Sequence, residues 1–102
     1  MRIPKSFNLF GETITVRIIP KAIDGEGTQQ LVGLAKYCEN EIVLATHDIY
    51  GTPIAKKNIE QSFFHELMHF IFDKVAPDMR SNEELVDLTA ALLHQMFITA
   101  KY

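Results

Sequence analysis

The run SFFHELMHFIFD, from Ser62 to Asp73, leaves this chain few ways to fold. A helix turns about 100° per residue, which gathers Ser62, His65, Glu66, His69 and Asp73 on one narrow stripe. Phe63, Phe64, Leu67, Met68, Phe70, Ile71 and Phe72 cover nearly all the remaining surface. A helix so apolar around most of its circumference must be buried on most sides. The rest of the chain, 102 residues in all, therefore has to supply its cover, and that length argues for one domain spanning residues 1–102.

The cover is legible in part. Thr13–Ile19 alternates and is rich in β-branched residues, so it reads as a strand. Ser6–Phe10 is placed to pair with it across Gly11-Glu12. Lys21–Gln30 contains Asp24-Gly25-Glu26-Gly27 and reads as a loop. Two short apolar runs follow, Leu31–Tyr37 and Glu41–Thr46, and the Cys38-Glu39-Asn40 break between them predicts a hairpin. From about Pro53 the period becomes helical, with Thr52 as a cap and Pro53 in the first turn. Ala76-Pro77-Asp78 ends that helix, because the residue before a proline resists the α conformation. A second helix is expected from about Asn82 to Ala100. Ser81-Asn82-Glu83-Glu84 reads as its capping box, with Ser81 as the cap and Glu84 reaching back to it. Strands followed by helices make an α+β fold: a twisted sheet of three or four strands with two helices after it.

The polar stripe of the first helix carries the chemistry. His65-Glu66-Leu67-Met68-His69 has the H-E-x-x-H pattern. Residues four apart lie one turn apart on the same face, close enough for His65 and His69 to share one metal ion. Imidazole is a good zinc ligand, and zinc lowers the pKa of a bound water to about 7, where Glu66 can serve as general base. The bland alternative is a solvated stripe with an accidental match.

A catalytic zinc site needs a third protein ligand, with water as the fourth. Asp73 lies roughly 6 Å of helix rise beyond His69 and is a poor candidate. On the second helix Glu83, Asp87 and His94 share a stripe. Glu84 is assigned to the capping box, which leaves Glu83 as the expected ligand. Its bland alternative is a carboxylate complementing the helix dipole. Asp87, one turn further on, is placed to accept the free ring N–H of a ligating histidine.

These two segments, His65-Glu66-Leu67-Met68-His69 and Asn82-Glu83-Glu84-Leu85-Val86-Asp87, resemble the gluzincin pattern of H-E-x-x-H followed by N-E-x-x-x-D. The resemblance implies His65, His69 and Glu83 as ligands of one zinc ion per chain, Glu66 as the base and Asp87 as the partner of a ligand. With Gly33-Leu34-Ala35 ahead of the hairpin, the chain also resembles small ImmA/IrrE-type and phage-encoded metallopeptidases. That likeness implies a zincin-like domain acting on a peptide or protein substrate, with a mobile-element origin. In such enzymes the first strand of the hairpin, here Leu31–Tyr37, receives the substrate as an added strand. Their usual transition-state donors have no assured match here. Tyr37, Tyr50 and His94 are the candidates, each with a structural or surface role as the plainer reading. His47 and Cys38 read as a surface residue and a bystander, and Met68 and Met96 as packing.

Two rivals stand beside the peptidase. One is a protein-binding module with a structural or vestigial metal site, and the other is a zinc hydrolase for a non-peptide substrate. Composition removes further classes. A formal net charge of −3, without clustered Lys and Arg, speaks against a nucleic-acid or anionic-membrane surface. Nowhere do 18 apolar residues run together, and no apolar run follows Met1-Arg2-Ile3-Pro4-Lys5. One cysteine permits no intrachain disulfide, so the cytoplasm is the expected address.

Overall fold

The computed structural model describes residues 1–24 and 30–102. Among the described residues six strands and two α-helices follow in the order β1 (Ser6–Leu9), β2 (Glu12–Ile19), β3 (Ile23–Asp24), β4 (Gln30–Leu31), β5 (Gly33–Lys36), β6 (Glu41–Ala45), α1 (Lys56–Val75) and α2 (Glu83–Thr99). The main sheet is four-stranded, in the order β1-β2-β6-β5. Its outer pairs are antiparallel and the central β2-β6 pair is parallel, so the sheet is mixed. The arrangement is the expected α+β one, a sheet followed by two helices. No described helix is long and apolar enough to cross a membrane.

Local sequence explains most of these elements. Phe10 and Gly11 both take positive φ, at 51° and 80°. Two such residues make the tight turn whose twist suits a hairpin. The turn therefore falls at Phe10-Gly11, one residue before the Gly11-Glu12 expected. Along β2, Ile14 is buried between the exposed Thr13 and Thr15, as alternation demands. The β5–β6 turn passes through Asn40 in the left-handed region, which asparagine tolerates.

Strand β6 is buried on both faces. Ile42 and Leu44 meet Phe63, Phe64, Met68 and Phe70 of α1, together with Ile14 and Val86. Val43 and Ala45 meet Ile23 on the opposite face, with Leu34 and Ile54 packed around them. That second cluster accounts for two departures from the expected elements. Ile23-Asp24 pairs with Gln30-Leu31 as a small antiparallel ribbon rather than a plain loop, and residues 25–29 of the expected loop lie outside the described residues. Helix α1 begins at Lys56 and not at Pro53. Pro53 bridges to His47, and the Ile54 N–H bonds the Thr46 carbonyl at 2.8 Å. Packing of Ile54 on the sheet keeps this segment extended, so neither Thr52 nor Pro53 starts the helix.

The start of α2 also differs. Asn82, not Ser81, is the cap, and its Oδ1 accepts from the Leu85 N–H at 3.1 Å. Glu84 thus sits one position too early to reach back as a capping-box glutamate, and it is exposed. Glu83 becomes the first residue of the helix, facing α1.

Candidate metal centre

His65, Glu66 and His69 project from the middle of α1, where burial on the sheet fixes the helix's rotation. The two imidazoles meet edge to face, with Nε2 atoms 3.2 Å apart. Glu83 reaches across from the first turn of α2. Its Oε2 lies 3.1 Å from His65 Nε2 and its Oε1 3.2 Å from His69 Nε2. Among the described residues these three form the group whose donor atoms converge tightly enough to hold a metal ion.

The far side of each ring decides what the near side can do. His65 Nδ1 is 2.6 Å from Asp87 Oδ1, and His69 Nδ1 contacts the main-chain carbonyl of Arg80. A carbonyl oxygen can only accept, so the His69 proton sits on Nδ1. The Asp87 carboxylate places the His65 proton in the same way. In the neutral rings both Nε2 atoms then present lone pairs, turned toward each other and toward a carboxylate. Such a set repels itself unless a cation sits among the donors. The spacing suits one, since zinc held tetrahedrally at 2.0–2.1 Å sets its ligands roughly 3.3 Å apart. By donor type and by distance, the residues fit zinc.

Glu66 stands beside this triangle without joining it. Burial is the main cause pushing its carboxyl from 4.5 up to about 7. Negative charge on Glu83 and Asp87 adds to the rise, while His65 and the backbone of Ala35 pull against it. A cation held by the histidines would favour the ionised form further. Across from Glu66 lies strand β5. A Cβ added at Gly33 would come within 3.0 Å of Glu66 Oε2 and 3.3 Å of its Cγ. Gly33 is thus what lets the carboxylate press against the strand. Sequence reasoning gave Gly33 no such role, though a glycine inside a short strand is a known signal of close approach.

Strand β5 is an edge of the sheet. The Ala45 N–H bonds the Val32 carbonyl, and the β5–β6 register then directs the Leu34 and Lys36 backbone groups toward β6 as well. The N–H and C=O groups of Gly33 and Ala35 point the other way. A cleft of about 460 Å³ runs between this strand and α1, lined by Leu31, Gly33, Leu34, His65, Glu66, His69 and Glu83. It continues past Val32 to Gln61, Ser62 and Asp87.

The three candidate donors have different surroundings. Tyr37 packs against Phe70 with the Arg80 guanidinium 5.2 Å over its ring. Burial chiefly raises its hydroxyl pKa, Arg80 opposes this, and Asp73, Glu66 and Glu83 add to it. Tyr37 therefore lies at the margin of the site. Tyr50 is exposed on the Asp48–Gly51 turn and does not line the cleft. His94 is engaged elsewhere: its Nε2 meets Glu60 at 2.9 Å and its Nδ1 meets Gln61 at 3.1 Å. Neither ring nitrogen is turned to the His65–His69 pair.

Arg80 is the other residue that sequence reasoning passed over. Its guanidinium bonds Asp73 at 2.6 Å and covers Tyr37, which pins the loop between the helices. The same residue's carbonyl orients His69. Compared with protein-family models, with curated proteins and with solved structures, the chain matches none.

Proposed function

We propose that the chain is a zinc-dependent peptidase of the gluzincin type, acting on a peptide or protein substrate. One observation carries the reading: a triangle of bare donors lies beside a buried carboxylate, in a cleft whose other wall is an open strand edge. His65, His69 and Glu83 would hold the ion. When bound, zinc supplies a Lewis acid for a carbonyl oxygen and acidifies water to a pKa of about 7.

The chain's own residues supply the rest. Gly33 offers an outward N–H and C=O, and Ala35 an outward C=O, so a substrate backbone can add to β5 as a further strand. Such a substrate lies across the cleft from Glu66. The Glu66 carboxylate accepts the proton of the attacking water and returns it to the amine nitrogen of the breaking bond. Its buried position suits both halves, since a base with pKa near the working pH can take a proton and give it back. Asp87 and the Arg80 carbonyl hold the two rings in the tautomer that faces inward. We infer the cytoplasm as the setting, which the single free cysteine, Cys38, permits.

A metal-stabilised binding module is the competing reading. A structural site closes with four protein ligands, whereas three donors converge among the described residues. The test is Glu66→Gln, which keeps the shape and removes the basicity. Zinc content and fold should be retained, while cleavage of a peptide library should fall by about 10²–10⁴-fold. Equal cleavage by the variant overturns the role of Glu66. A wild type that holds zinc and cleaves nothing favours the binding module.

A further inference from the structure

The outer face of α2 is apolar and uncovered. Between Leu88 and Ala100 the sequence holds no acidic or basic residue except His94, which is turned inward. Yet Leu88, Leu92 and Met96 are 58%, 66% and 52% exposed, so Met96, unlike the buried Met68, does not take the packing position expected of it. With Leu85 they form one stripe, spaced by three, four and four residues, opposite the buried Val86 and Ala90. No other described element packs on it. This spacing is what one helix offers to another in a bundle.

We propose that the stripe joins two copies of this chain, through antiparallel pairing of their α2 helices about a two-fold axis at Leu92. The opposite charges at the two ends of the stripe, Glu84 before it and Lys101 after it, favour a second copy in antiparallel orientation. With Leu92 on the axis, Leu88 of each copy meets Met96 of the other, and Leu85 meets Thr99. Glu84, in the acidic first turn, then lies toward the chain end that carries Lys101 of the second copy, just past its α2. Parallel pairing would instead set Glu84 against Glu84 and bring like ends of the helix dipoles together. A shallow depression lined by Asn82, Glu84, Leu85 and Leu88 sits where Met96 of the second copy would arrive. An unbranched thioether adapts well to such a recess. The contact is isologous and closes on itself, so it yields a dimer and not a filament. Glu83 and Asp87 stay turned toward α1, which leaves the cleft open in both copies.

Sedimentation equilibrium over a wide concentration series tests this. The mass should rise from 11.6 kDa toward twice that value as concentration increases. Leu92→Glu should give a monomer throughout with an unchanged circular dichroism spectrum, because Leu92 is exposed in the folded chain. Cysteine pairs report the orientation in a Cys38→Ser background. A mixture of Leu88→Cys and Met96→Cys chains should form mixed disulfides in preference to like pairs. Monomeric mass at every concentration overturns the proposal. Association that survives Leu92→Glu places the dimer contact on another surface and overturns it equally.

Discussion

Two histidine–carboxylate contacts join α1 to α2, and they leave their charges in opposite surroundings. At one end His94 meets Glu60, with both side chains no more than 10% exposed. Gln61 takes the other ring nitrogen, and the Met1 ammonium lies 3.5 Å from Glu60 Oε2. Every group there has a protein partner. At the other end His65 and His69 meet Glu83 and Asp87, whose side chains are 63% and 66% exposed. There the Nε2 atoms face each other and the Glu83 carboxylate. The same residue types therefore make a sealed strut at one place and an open donor set at the other. What separates them is whether the second ring nitrogen finds a protein acceptor or a bare neighbour.

The strongest way to break the comparison is to remove an imidazole from the open end. His65→Ala or His69→Ala should abolish tight binding of one zinc per chain, read by elemental analysis and zinc titration. Zinc should raise the melting temperature of the wild type but not of these variants. Retention of tight zinc by the double variant ends the ligand assignment.

Next in size is the sealed end. Glu60→Gln takes the carboxylate from His94 and should cost about 1–3 kcal/mol in urea unfolding, with zinc binding intact. The comparison fails if this variant loses its zinc and keeps its stability. A pH dependence follows from the same contact. The hydrogen bond from His94 chiefly, with help from the Met1 ammonium, holds the Glu60 carboxyl below its ordinary 4.5 against the opposing effect of burial. Its folded pKa is depressed, so its contribution is present above pH 4.5 and is lost as pH falls through the lower folded value. Melting temperature followed downward from neutrality should show this acid arm in the wild type and a flatter one in Glu60→Gln.

A smaller effect sharpens the open end. Asp87→Ala leaves the ligands in place and frees the His65 ring, so zinc affinity should weaken by about 10–100-fold with little change in unfolding free energy. An unchanged affinity would show that Asp87 does not set the tautomer. The smallest effect is at the helix start. Asn82→Ala should cost about 1 kcal/mol, and Ser81→Ala clearly less. The reverse order in a urea titration would return the cap to Ser81.

The first helix and its polar stripe were legible in the sequence because they rest on local periodicity. The i, i+4 spacing of His65 and His69, and the step from Glu83 to Asp87, hold in any helix that forms. The strand–strand–helix order was equally legible, because alternation in Thr13–Ile19 and the breaks at Gly11 and Asn40 are properties of neighbouring residues. Helix boundaries were less so. Thr52-Pro53 and Ser81 carry valid local start signals, but the packing of Ile54 on the sheet and the Asn82 side chain displaced both starts.

Other features belong to the tertiary structure alone. The closeness of Gly33 to Glu66 depends on which strand ends up at the sheet edge beside α1. The Arg80 carbonyl reaches His69 only because its guanidinium is tied to Asp73 and Tyr37, residues about a third of the chain apart. His94 shares a stripe with Glu83 and Asp87 in the sequence, yet the crossing of α2 over α1 sends it to Glu60. Sequence by itself determined which groups could bind a cation, since that depends on spacing within one helix. Only the tertiary structure decided which of them face a common point, because that depends on the angle and register between elements far apart in the chain.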